Sequence, residues 1–205
     1  MRPHSLRDMK KEATAHALAT AAFELALEKG LDGFVVEDVV QRAGYSRRTF
    51  ANYFSCKEEA VAMIAMTFDG SVHEDGELNF DLSERLSPVD VLHRWLQARF
   101  TTDLLRKIRE LFSLSRRHPT LEPFILSVLK RLEAGAEEEL RRFSRDGQDL
   151  VYSHLLIGAV FGAVLPILDG TLQVRLPGDP EERAPGAIPF EQHLAATFAY
   201  LRNGF

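Results

Sequence analysis

Two short stretches on either side of one glycine constrain this chain most. Residues 37–43 and 47–54 each hold about two helical turns, and Gly44-Tyr45-Ser46 separates them. Gly44 supplies the turn, and Ser46 is a good N-cap for the second helix. Val36, Val39, Val40 and Ala43 give the first helix an apolar face. Phe50 and Phe54 lie four apart and so share one face of the second. Arg47, Arg48, Thr49, Asn52 and Tyr53 make its polar side. Two short helices around a tight glycine turn form a helix-turn-helix unit. Its second helix must be short and outwardly polar to lie in a DNA major groove.

The rest of the 205 residues also reads as helix, and alternating strand patterns are scarce. A first helix is expected over about Asp8–Glu28, with Leu18, Ala22 and Leu25 at helical spacing. Gly30 should end it in the left-handed conformation. Ser55 and Glu58 read as a capping box, opening a further helix from about Cys56 to Gly70. Residues 71–86 are acidic and read as a connection. Ser87-Pro88 restarts helix, and His118-Pro119 ends that stretch. Another helix is expected over about Leu121–Arg145, with Asp146-Gly147 as its stop. Asp149 caps an apolar helix running to about Gln173. Residues 174–188 hold three prolines and two glycines and read as loop, and Pro189 opens a last helix. The expected fold is all-α. A three-helix DNA-binding domain over residues 8–70 precedes a larger helical effector-binding and dimerisation domain over residues 71–205.

Composition narrows the function. The single cysteine, Cys56, excludes an intramolecular disulfide and a cysteine-rich metal site. No two of the seven histidines stand at the four-residue spacing of a helical zinc site. Gly-x-Ser-x-Gly, phosphate-cradling glycine loops and His-Glu-x-x-His are absent, so neither an enzyme, a metal nor a cofactor is expected. The most apolar run, Leu155–Leu168, is shorter than the ~20 residues of a membrane span. Residues 1–11 are polar, without a signal-peptide core, which points to a cytoplasmic protein. The net charge is -5, yet residues 1–57 carry nine Lys/Arg against seven Asp/Glu. A mildly basic head on an acidic body suits DNA as partner.

Several pieces carry a family resemblance: Ala21-Ala22-Phe23, Glu28-Lys29-Gly30, Val36-Glu37-Asp38-Val39-Val40, the run from Ala43 to Phe50, Asn52-Tyr53-Phe54 and Lys57-Glu58. In order and spacing, residues 8–70 resemble the DNA-binding domain of the TetR family. The resemblance implies that Ser46, Arg47, Arg48, Thr49 and Asn52 contact bases or phosphates. It implies that Tyr53 touches the backbone and that Lys57 grips a phosphate beside exposed helix amides. Two positions depart from the family's habit. Phe34-Val35 stand where Thr-Thr is common, removing a capping hydroxyl, and Ala51 replaces a common aromatic.

The resemblance further implies a cytoplasmic homodimer on a palindromic double-stranded operator. Its last two helices, over about 149–172 and 189–203, would form a four-helix interface. Small residues four apart, Gly158 and Gly162, suit close helix approach in such an interface, or equally in the chain's own core. A small-molecule effector would lie among large apolar residues of the second domain: Trp95, Phe124 and Phe161, with Phe100 and Phe112. The function implied is a repressor released from its operator by that effector. A second class stays open: an all-helical protein-interaction or ligand-carrier module whose helix-turn-helix no longer reads DNA.

Overall fold

The computed structural model describes residues 6–66, 86–143, 150–181 and 185–204. Among these residues nine α-helices are present and no strand. They are α1 (Leu6–Lys29), α2 (Val36–Ala43), α3 (Arg47–Ala51), α4 (Lys57–Ala62), α5 (Pro88–Arg99), α6 (Thr102–Arg117), α7 (Glu122–Phe143), α8 (Leu150–Leu168) and α9 (Phe190–Asn203). Short 3₁₀ turns stand at Leu31–Gly33, Met63–Ala65 and Pro119–Leu121. The expected helix end near Gly70, nearly all of the acidic connection, the stop at Asp146-Gly147 and the cap at Asp149 lie outside the described residues.

The chain forms two compact units. One comprises residues 1–73 and 110–128, the other residues 74–109 and 129–205. Residues 110–128 thus group with the N-terminal head, a partition with no counterpart in the sequence boundary at 70/71.

In the first unit α1 packs on α2 and α4. Leu18, Ala22 and Leu25 supply its buried stripe, and Leu31, Phe34, Val39, Phe50, Phe54, Val61 and Ile64 close over it. Each large side chain buried there contributes about 1.5–3 kcal/mol of transfer free energy. The carbonyl of Ala26 receives the Gly30 N–H at 3.0 Å, ending α1. Gly30 has φ 70° and ψ 166°, not the left-handed helical cap. That extended positive-φ region is open essentially to glycine alone. It lets the chain turn directly into the 3₁₀ turn.

The cap of α4 is displaced by one residue from the expected capping box. Cys56, not Ser55, is the N-cap, and its Sγ accepts the Glu59 N–H at 3.5 Å. Glu59, not Glu58, reaches back: its carboxylate accepts both the N–H and the hydroxyl of Ser55 at 2.7 Å. The Ser-x-x-Glu pattern fits equally well one register earlier, and sequence spacing alone does not separate the two.

In the second unit α5 packs on α8 and α9, which also pack on each other. Helix α8 is apolar on all sides, the pattern of a helix covered on all sides. Leu156, Ile157, Val160, Phe161, Val164, Ile167 and Leu168 are buried, while Val151, Tyr152 and Leu155 are exposed. Residues 151–168 are long and apolar enough to cross a membrane by length and composition. Here they pack one face into the helical unit. Arg109 forms two hydrogen bonds to Asp179, at 2.5 and 3.0 Å, and so pins the loop before α9 onto α6.

Phe198 on α9 is fully buried and stacks on His93 of α5, with ring centroids 4.1 Å apart. Arg202 donates to Asp90 at 2.9 and 3.0 Å and approaches His93 Nδ1 at 3.2 Å. Burial, then the Arg202 charge, pushes the His93 imidazole below its ordinary value of 6.5. A depressed folded value favours the neutral ring. The stabilisation is therefore complete above 6.5 and is lost as pH falls through the folded value. Thermal melts should show the protein losing a few degrees between about pH 7.5 and about pH 5.5. His93→Phe keeps the stack and should flatten that loss. Equal losses in both proteins would exclude His93 as the responsible group.

Candidate nucleic-acid interface

The second helix of the motif, α3, holds five residues, shorter than the sequence pattern over 47–54. Its hydrogen bonding nevertheless continues, because the Phe54 N–H donates to Phe50 O at 2.9 Å. Gly44 sits in the left-handed region at φ 74°, ψ 29° and closes α2. The next amide, Tyr45 N–H, reaches back to Val40 O at 2.9 Å. That bond satisfies a carbonyl the helix end would otherwise orphan, and a side chain at Gly44 would strain the turn.

Ser46 then starts α3 in extended conformation. Its Oγ accepts the Thr49 N–H at 3.0 Å and lies 2.9 Å from the Thr49 hydroxyl. Phe50 and Phe54 hold α3 from below. Both are buried, and their rings meet at 5.5 Å. The opposite side is thereby turned outward: Arg47, Arg48, Ala51 and Asn52 are exposed and Thr49 is half-buried. Tyr53 is half-buried with its ring 6.4 Å from that of Phe54, so it belongs partly to the anchor.

The structure brings Ser46, Arg47, Arg48, Thr49 and Asn52 onto one short element. It treats Lys57 differently from the expected phosphate clamp. The Lys57 ammonium donates to Leu31 O at 2.7 Å and to Phe34 O at 2.8 Å, and stands 5.0 Å above the Phe34 ring. It closes the turn between α1 and α2, because the carbonyls at the end of a 3₁₀ turn lack other donors. The missing hydroxyl at Val35 is likewise offset from within. Asp38 Oδ2 accepts the Val35 N–H at 2.8 Å, which is the half of a capping box that valine allows.

Two further contacts were not anticipated from sequence. Arg42 forms a two-pronged pair with Glu28, at 2.7 and 2.8 Å, fastening the end of α2 to α1. The same guanidinium holds the Glu28 carboxyl below its ordinary value. Arg47 Nη1 donates to Glu37 Oε1 at 2.6 Å. A helical spacing rule finds neither, because each crosses between elements. Burial pushes the Cys56 thiol up, against the low value that a redox-sensing thiolate requires. Among the described residues no group of three or more His, Cys, Asp or Glu could hold a metal ion.

Residues 18–62 match the family model of the bacterial regulatory proteins of the tetR family. These residues are a tetR-family domain. Among curated proteins none matches the chain. A solved structure from Mesorhizobium loti MAFF303099, described as belonging to a TetR-family transcriptional regulator, shares its fold at a TM-score of 0.51. The two are 19% identical, over 94% of this chain and 97% of that one. The matched head is of the kind found in bacterial regulatory proteins of that family, and the α-helical body accords with the shared fold.

Of the residues expected at an effector pocket, Trp95 and Phe161 lie in the second unit. A small cavity there is walled by residues that include Leu96, Phe100, Leu129, Val160, Phe161 and Leu168. Phe161 lines this cavity, whereas Trp95 and Phe124 do not. Trp95 is buried edge-on against Phe100, with ring centroids 6.0 Å apart. Phe124 and Phe112 belong to the first unit.

Lys57→Met should lower the stability of the head by about 1–3 kcal/mol, the cost of leaving partly buried carbonyls without their charged donor. Thermal or urea unfolding measures it. A variant as stable as the parent would contradict the clamp.

Proposed function

We propose that the protein is a homodimeric repressor that binds a palindromic operator through α3 and leaves it when a small apolar effector enters the second unit. The observation that carries the DNA-reading part is the outward polar face of α3. It is set by the Phe50–Phe54 anchor within residues that match the tetR family model. Arg47, Arg48, Thr49 and Asn52, with Ser46 at the helix start and Tyr53 at its end, face the groove. Lys57 acts from within the head.

The dimer rests on α8 and α9. A Cβ built on Gly158 or Gly162 would meet nothing within 4 Å. The packing of this chain on itself therefore gives no reason for glycine at either position. Val151 and Leu155, on the same side of α8, are 64% and 65% exposed, and Tyr200 of α9 is 59% exposed. A second copy laid against this face would bury them and use the small residues for close approach. Two recognition helices one DNA turn apart, ~34 Å, or a multiple of it, would then meet two half-sites.

The effector reading rests on the cavity, whose described wall is wholly apolar and which holds about 10 Å³, the room of roughly one water. An effector must therefore open the helices around Phe161. Ligand binding would select an expanded body and so change the spacing of the two heads, a shift between two populations.

The test is titration of the duplex upstream of its own gene at several salt concentrations. Affinity should fall steeply with salt, and Arg48→Ala should reduce the logarithmic slope by about one per lost phosphate contact. Binding that is absent at low salt would favour the helical interaction or carrier module instead. Sedimentation at micromolar concentration should show a dimer that Leu155→Asp converts to monomer. A monomeric parent, with and without the duplex, would sink the dimer reading.

A further inference from the structure

On the DNA-reading role proposed above, we infer that Glu37 is a specificity-determining residue, which pins Arg47 for base reading and denies it to non-operator phosphates. Glu37 lies in the first turn of α2, where a carboxylate is favoured by the exposed amides. Arg47 is the first residue of α3. Their side chains meet at 2.6 Å across the turn, with Glu37 56% and Arg47 76% exposed. Both groups thus stand on the surface that approaches DNA.

Charge accounting around α2–α4 makes this pair consequential. Arg42 is held by Glu28 at 2.7 Å, with Glu24 at 3.8 Å, and Lys57 gives two of its three donors to carbonyls inside the head. Arg48 makes no ion pair among the described residues. Arg47 is therefore the cation whose availability the sequence tunes. Glu37 occupies Nη1 and neutralises the guanidinium at short range. A phosphate gains little from a cation already paired, and pulling Arg47 away leaves a carboxylate facing the DNA backbone. A base edge is different. The guanidinium has five donors, and Glu37 takes one at Nη1. The remaining donors can still reach an acceptor such as guanine O6 or N7. The carboxylate thus costs most where binding is by phosphate alone.

The experiment compares two duplexes of equal length, the upstream sequence and a scrambled one, at low and moderate salt. Glu37→Gln should tighten binding to the scrambled duplex about two- to five-fold, the scale of an exposed ion pair. It should not tighten binding to the upstream duplex, so the preference falls. In an Arg47→Ala background the Glu37→Gln effect should vanish, since the pair is already broken. An equal change on both duplexes, no change on either, or an effect that persists without Arg47 would overturn the inference. So would a parent protein with no preference between the duplexes. A parent that binds neither duplex at low salt would remove the DNA-reading function itself, a result distinct from the others. Both side chains are exposed, and unchanged melting temperatures would confirm that the variants fold.

Discussion

A helix of five residues cannot hold itself together in water, because nucleation costs more than one or two hydrogen bonds return. Everything at the reading face depends on how α3 is held from outside. Phe50 and Phe54 do this from the core side, one turn apart and ring against ring. Ser46 does it from the start, supplying an acceptor to the Thr49 amide. Gly44 fixes the angle of approach by taking a conformation other residues resist. These restraints leave Arg47, Arg48 and Asn52 facing outward as a by-product of where the phenylalanines must go.

The same logic governs the turn that precedes α2. Leu31 and Phe34 are buried, and burial draws their carbonyls away from water. A buried carbonyl without a donor is costly. Lys57 answers both at once, and His118 Nε2 accepts the Leu31 N–H at 3.4 Å from the 110–128 segment of the same unit. The position where the family resemblance implies a phosphate grip has become an internal fastener. Asp38, the third residue of the helix, supplies the other half of the cap by accepting the Val35 N–H. The departure at Val35 is thus met in part by a polar group already present, and the Lys57 contacts hold the same turn, while nothing takes the place of the aromatic absent at Ala51.

Much of this was legible in the sequence, for identifiable reasons. Periodicity located the helices, and the Phe50/Phe54 spacing fixed which side of α3 is buried. Glycine chemistry located the turn at Gly44. The local register of a cap was less legible, since Ser55 and Cys56 both precede acidic residues three positions on. Contacts between elements were not legible at all. Arg42 with Glu28, Arg47 with Glu37 and Lys57 with Leu31 join residues 10 to 26 positions apart. Nothing in helical spacing pairs them. The cavity shows a different limit of spacing and size. Size suggested Trp95 and Phe124, but a large aromatic serves equally well as solid packing, and Trp95 is used that way against Phe100.

The charge balance bears on how such a head can bind a polyanion. The chain carries a net -5, and the structure commits Arg42 and Lys57 internally while Glu37 partly offsets Arg47. One head therefore has little electrostatic attraction to spend on arbitrary DNA. Two heads joined in a dimer change the arithmetic. Once the first half-site is occupied, the second sees its groove at a high effective concentration, and weak individual contacts multiply. A weakly cationic reading face and a strongly apolar, small-residue face on α8 are on this view complementary. In the proposed dimer the first would keep a single head from settling on non-operator sequence, and the second would supply the affinity by pairing heads at one fixed spacing.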